Sequence, residues 1–180
     1  MTTAAWIRSV LQNDHGVDLD GIQWVTFEDP HVAEYYDPAT AARAPAGKQL
    51  VKMLVDGGID AGLVGAADLK DARLQPVIPH PNEAAQAWCL RYDALPINHM
   101  LVVKESLRKS NPAAVTEIYR LLRASKPAAP PANGLDTLQF GVDKIRRSLE
   151  LIIQYSCEQK LTPRRFEVDE LFDEVTRELS

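Results

Sequence analysis

Apolar positions recur with helical spacing along most of this chain, and a few short runs break the rhythm. Ala4, Trp6, Ile7, Val10 and Leu11 mark an amphipathic helix that begins almost at the first residue, with Thr2 or Thr3 able to cap it and Gly16 to end it. Gly21 to Thr26 alternates as a strand does, with Ile22–Thr26 as its core. Phe27 to Pro45 has no period and holds Pro30, Pro38 and Pro45, which predicts a long loop. From Gly47, GKQLVKMLVDGG predicts a helix with Leu50, Val51, Leu54 and Val55 inward, and Ile59–Val64 a buried strand after it. Helix then strand is half of a βαβ unit. Asp68 to Ile78 is a polar connection, and Pro81-Asn82-Glu83 opens a helix carrying Ala84, Ala87, Trp88 and Leu90.

That helix delivers the chain to Leu95–Leu107, LPINHMLVVKESL, where proline, histidine and an apolar core follow without a break. Ile97 to Val103 has aliphatic residues on both faces and predicts a strand, Ile97–Lys104, buried on both sides. His99 then either sits in the core with a hydrogen-bond partner or faces a cleft, and Pro96 suits a chain entering a strand at a crossover. Beyond the strand the pattern turns helical. Asn111-Pro112 opens a helix over Ala113–Ser125 with Val115, Ile118, Tyr119, Leu121 and Leu122 as its stripe. Lys126 to Gly134 is a proline- and alanine-rich spacer. Val142–Lys160 is a long helix with Ile145, Leu149, Ile152, Ile153 and Cys157 inward, and Val168, Leu171, Phe172 and Val175 belong to a last amphipathic segment. Helices without strands of their own need a sheet to cover, so the chain alone is expected to expose apolar surface or to bury it in a homo-oligomer.

Composition narrows the functional classes. The 180 residues are 46% hydrophobic and 25% charged, ordinary for a soluble α/β protein. A net charge of −5 offers no basic stripe to release phosphate counterions, so nucleic acid is not expected as a partner. No apolar run approaches the ~20 residues that cross a bilayer, and no export signal opens the chain, so a cytoplasmic protein without membrane contact is expected. Cys89 and Cys157 lie far apart in helical patterns, which suits neither a disulfide framework nor a zinc site. Lys48 near Gly47 lacks the spacing of a phosphate loop. His15, His31 and His80 show no paired metal-ligand spacing, and Arg164 and Arg165 suit a solvated face.

Five blocks taken together, WIRSVLQNDHGVDLDGIQW, LVKMLVDGGIDAGLVG, PHPNEAAQAW, PINHMLVVKESL and LELIIQYSCEQKLTPRRFEVDELF, resemble the 4,5-dihydroxyphthalate decarboxylase family in order and spacing. The resemblance implies the fold of type 2 periplasmic substrate-binding proteins, two α/β lobes with the ligand in a cleft. Family members are longer at the front, so Met1 is expected to be an internal start and the first lobe incomplete. Residues 1–94 would then form the second lobe, 95–105 the return crossover strand, and 106–180 helical cover for the first lobe.

The implied reaction removes carbon dioxide from an electron-rich ring by protonating the carbon that bears the carboxylate, with a hydroxyl para to it pushing electrons in. It needs no redox cofactor; an acid and clamps for the carboxylates suffice, and no metal site is indicated by the sequence. His99 is the candidate acid, because imidazole titrates near neutral pH. Thr2 and Thr3 at a helix start can hold a carboxylate, or simply cap the helix, and Pro96 and Asn98 flank the acid as candidate substrate contacts. The expected ligand is a small aromatic or carboxylate compound. A solute-binding protein would capture the same ligand without chemistry, and the effector domain of a transcription regulator shares the general fold, although nothing resembles a helix-turn-helix.

Overall fold

The computed structural model describes residues 2–29, 32, 34, 36–65, 69, 71–128 and 136–179. His31, the start of the Asp68–Ile78 connection and much of the Lys126–Gly134 spacer lie outside the described residues. The chain is mixed: seven α-helices and one two-stranded parallel sheet among the described residues. It divides into two compact units, Met1–Ser9 with Ala85–Ser180, and Val10–Ala84.

The continuous unit holds the sheet. Strand β1 (Trp24–Thr26) pairs with β2 (Ala41–Arg43) in the register Trp24↔Ala41, Val25↔Ala42, Thr26↔Arg43. Trp24 and Val25 favour a pleated strand, whereas Ala41–Arg43 does not, which is why the predicted Phe27–Pro45 loop hides β2. Pairing and side chains hold it instead: Trp24 N–H donates to the Thr40 carbonyl at 2.9 Å, and Arg43 bonds the Glu28 carbonyl and the Asp29 carboxylate. The predicted strand Ile22–Thr26 is thus shortened to three residues. Ile59–Val64 forms no strand, because no strand among the described residues hydrogen-bonds to it, and Leu63 is half exposed. The helix predicted from Gly47 is confined to α2 (Leu50–Val55), and none of its residues is fully buried.

The discontinuous unit is helical. The first helix, α1 (Thr2–His15), stops where Gly16 takes φ +65°, a conformation that glycine adopts without strain. Thr2 and Thr3 are its first two residues rather than a cap before it, positions whose N–H groups have no partner within the helix. Next come α3 (Pro81–Tyr92), α4 (Glu105–Ser110), α5 (Pro112–Ser125), α6 (Val142–Glu158) and α7 (Glu174–Arg177). Asn111 caps α5 by accepting from Ala114 N–H, with Pro112 at the first helical position, as the sequence predicts. Gly141 precedes α6 at φ +92°, where a side chain would be strained. Leu90 of α3 points outward, as do Leu121 and Leu122 of α5; the buried stripes are narrower than the apolar ones.

The core forms where Val142, Leu149 and Ile153 of α6 meet Val168, with Ile97, Ile145, Phe166 and Phe172 packed around them. Beside it Trp6 meets Trp88 and Tyr155 edge to face, at centroid distances of 5.8 and 5.7 Å. Gln159 closes this side by donating to the Ala5 carbonyl at 2.7 Å and to Ser9 Oγ at 2.6 Å. Leu149→Ala removes a side chain that is 2% exposed and should cost about 2–5 kcal/mol. Urea unfolding measures it, with exposed Leu90→Ala as the control expected to stay within about 0.5 kcal/mol.

Arg164 does not simply face solvent. It stacks on the Phe166 ring at 4.0 Å and forks onto both oxygens of Glu170 at 3.0 and 2.6 Å. Those bonds, with one from the Glu167 N–H, hold the Glu170 carboxyl at about 2 against an ordinary 4.5. A folded-state pKa below the unfolded one contributes stability above the unfolded value and loses it as pH falls from about 4.5 toward 2. The gap in thermal midpoint between wild type and Glu170→Gln should therefore be widest near neutrality and close toward pH 2. Because the pair is exposed, added salt should narrow the gap at neutral pH. A gap independent of pH would sink the assignment.

Candidate functional site

The histidine segment begins at the end of α3. Asp93 adopts a left-handed conformation at φ +49°, and Ala94 N–H returns to the Cys89 carbonyl, which closes the helix and turns the chain away. Aspartate tolerates that conformation better than most residues. Three bonds then fix the departing backbone to the unit. Arg147 Nε donates to the Tyr92 carbonyl at 3.3 Å, Leu95 N–H donates to Ser148 Oγ at 2.9 Å, and Trp6 Nε1 donates to the Ile97 carbonyl at 2.9 Å. Ser148 and Trp6 are both buried, and the Ile97 side chain packs on the core.

Past Ile97 the picture departs from expectation. The residues from Ile97 to Lys104 form no strand, and Asn98, His99 and Met100 are exposed, with Leu101 68% and Val102 85% exposed. An extended run of β-branched residues can pair, but pairing needs a second strand, and none lies beside this run among the described residues. His99 is therefore not a core histidine. The segment ends at Lys104, which precedes α4, and α4 is tied down by Arg108, whose Nε meets the Asp173 carboxylate at 2.6 Å. His99 thus rides on an exposed span anchored at both ends.

Of the candidate residues, Pro96, Asn98 and His99 share this span and are all exposed. Thr2 is half-buried and Thr3 exposed at the start of α1. Trp6 lies one turn below them, about 6 Å along the axis, so its bond to Ile97 links the helix start to the histidine span. No direct hydrogen bond among the described residues joins either threonine to His99. Sequence reasoning placed Trp6 in a stripe and passed over Ser148. A serine amid the buried positions of α6 is a readable signal, because a buried hydroxyl needs a partner.

Two hollows lie elsewhere. One of about 200 Å³ in the helical unit is lined by Ile152, Ile153, Ser156, Thr162, Phe166 and Leu171. Another of about 450 Å³ in the continuous unit has Leu54, Leu63, Val77, Asp60 and Arg73 in its wall. Arg73 Nε and Nη2 already bond the Asp71 carboxylate, whose pKa they hold at about 2. With Asp60 also present, that wall has no spare positive charge for a carboxylate among the described residues. Among the described residues no group of three or more His, Cys, Asp or Glu is placed to hold a metal ion. No described helix is long and apolar enough to cross a membrane.

No family model matches the chain. It is similar to the 4,5-dihydroxyphthalate decarboxylase of Comamonas testosteroni, 28% identical over 171 residues that cover 86% of this chain and 52% of that protein. The relationship is distant, and the chain spans about half the length of this curated relative.

Because His99 is exposed and outside the core, His99→Asn should leave stability within about 0.5 kcal/mol of wild type. Thermal unfolding decides it; a large loss would mean that the ring supports the fold.

Proposed function

We propose that this chain belongs to a decarboxylase of hydroxylated aromatic dicarboxylates, with His99 as the proton donor. The observation that carries the proposal is the likeness to a 4,5-dihydroxyphthalate decarboxylase along most of the chain. The exposure of His99 on a span held at Leu95 and Ile97 is consistent with it. The finer reading of the fold, two α/β lobes of the type 2 periplasmic-binding kind, goes with the same proposal.

The chemistry asks little of the protein beyond placement. A ring hydroxyl para to the reacting carbon feeds electron density toward it, and the imidazolium of His99 delivers a proton to that carbon. The bond to the carboxylate then breaks, carbon dioxide leaves, and the electron pair of that bond restores the aromatic ring. The neutral imidazole regains its proton from solvent, so no net oxidation occurs. Thr2 and Thr3, in the first turn of α1, would hold the second carboxylate through unpaired N–H groups, hydroxyls and the positive end of the helix dipole. Asn98 and Pro96 would line the approach to the ring.

General acid catalysis is typically worth 10²- to 10⁴-fold, so His99→Asn should lose about that much turnover while keeping its ligand affinity. Carbon dioxide release from 4,5-dihydroxyphthalate, followed alongside direct binding of the same compound, is the measurement. Equal rates would remove His99 from the mechanism. Binding without release in wild type would instead identify a ligand-capturing protein.

A further inference from the structure

We infer that Trp6 and Ser148 are positioning residues that set where His99 is presented, an inference that rests on the decarboxylase proposal for its meaning but not for its test. Each makes one bond to the backbone just before the histidine: Ser148 Oγ accepts from Leu95 N–H at 2.9 Å, and Trp6 Nε1 donates to the Ile97 carbonyl at 2.9 Å. Both are among the best-buried residues of the chain, at 2% and 4% exposure, so neither is available to touch substrate. Pro96 between the two bonds has its φ fixed by the ring, which leaves little freedom over Leu95–Ile97. His99 follows two residues later in a span with no secondary structure, so its position depends on where this short base is clamped.

The two anchors differ in what they reference. Ser148 belongs to α6, the backbone of the core, and fixes the span to the unit as a whole. Trp6 belongs to the second turn of α1 and fixes the span to the helix whose first turn carries Thr2 and Thr3. The indole therefore sets the separation between the proposed carboxylate-holding end and the proposed acid. Its ring is held in turn by edge-to-face contacts with Trp88 and Tyr155, so the N–H has one direction in which to point. A shift of the reacting group by about 1 Å can cost 10²-fold, so loss of either bond should be felt in the chemical step rather than in binding.

Trp6→Phe keeps an aromatic ring and removes the N–H; Ser148→Ala removes the hydroxyl, and Ser148→Thr restores it. In the full chain, Trp6→Phe and Ser148→Ala should lower kcat about 10-fold or more with little change in KM, while Ser148→Thr recovers most of the loss. Combined with His99→Asn, neither should lower the rate further, because the residue they position is already gone. Equal losses with and without His99 would show a merely structural role and overturn the inference. If wild type releases no carbon dioxide, the functional proposal fails, and histidine NMR tests positioning alone. The His99 ring resonances should move toward free-peptide values in Trp6→Phe and Ser148→Ala, and unchanged resonances in both would overturn it.

Discussion

A buried indole must satisfy two demands at once, an apolar bed for its ring and an acceptor for its N–H, and Trp6 meets both only where three distant pieces of chain converge. Trp88 from α3 and Tyr155 from α6 supply the bed, and the Ile97 carbonyl, 91 residues further along, supplies the acceptor. None of the three alone would fix the ring. Together they determine where the first turns of α1 lie against α6, and Gln159 reinforces the choice by reaching the Ala5 carbonyl and Ser9. The placement of the histidine span follows from that convergence.

Charge plays a lesser part in the architecture. Many ion pairs among the described residues are local, such as Lys52 with Asp56 and Lys109 with Glu105 one turn apart, and they decorate exposed faces where water screens them. Arg108 with Asp173 and Arg146 with Asp169 are exceptions, since each joins separate parts of the helical unit. A few cross-links of this kind fix the outer elements on a core whose cohesion is aromatic and aliphatic.

Helices were legible in this sequence because their signals are local: the period of α6, the asparagine and proline that open α5, the glycine that ends α1. Strands were legible only in part, Trp24–Thr26 within the expected Ile22–Thr26, because a strand is a relation between two segments. Ile97–Val103 and Ile59–Val64 have strand-forming residues but no strand to bond among the described residues, while the unpromising Ala41–Arg43 becomes a strand because Trp24–Thr26 lies beside it. The same distinction governs the site. His99 could be singled out from the residues around it, but its exposure could not, since burial was inferred from apolar neighbours that themselves lie open. Ser148 as the anchor of Leu95 escaped notice for the same reason: the contact spans 53 residues.

The helical unit is built from two stretches, with residues 10–84 between them. Closing a loop of that length costs about 4 kcal/mol in chain entropy, which has to be recovered by contacts between α1 and the later elements. On a ribosome those contacts come late, because Tyr155 and Gln159 emerge well after the Trp6 and Ala5 that they meet. The continuous unit can gather its two strands as soon as it emerges, while the first turns of α1 wait with an uncovered indole. Order of synthesis and order of completion are therefore reversed between these two parts: the first turns of α1 are made before the continuous unit and find their place after it.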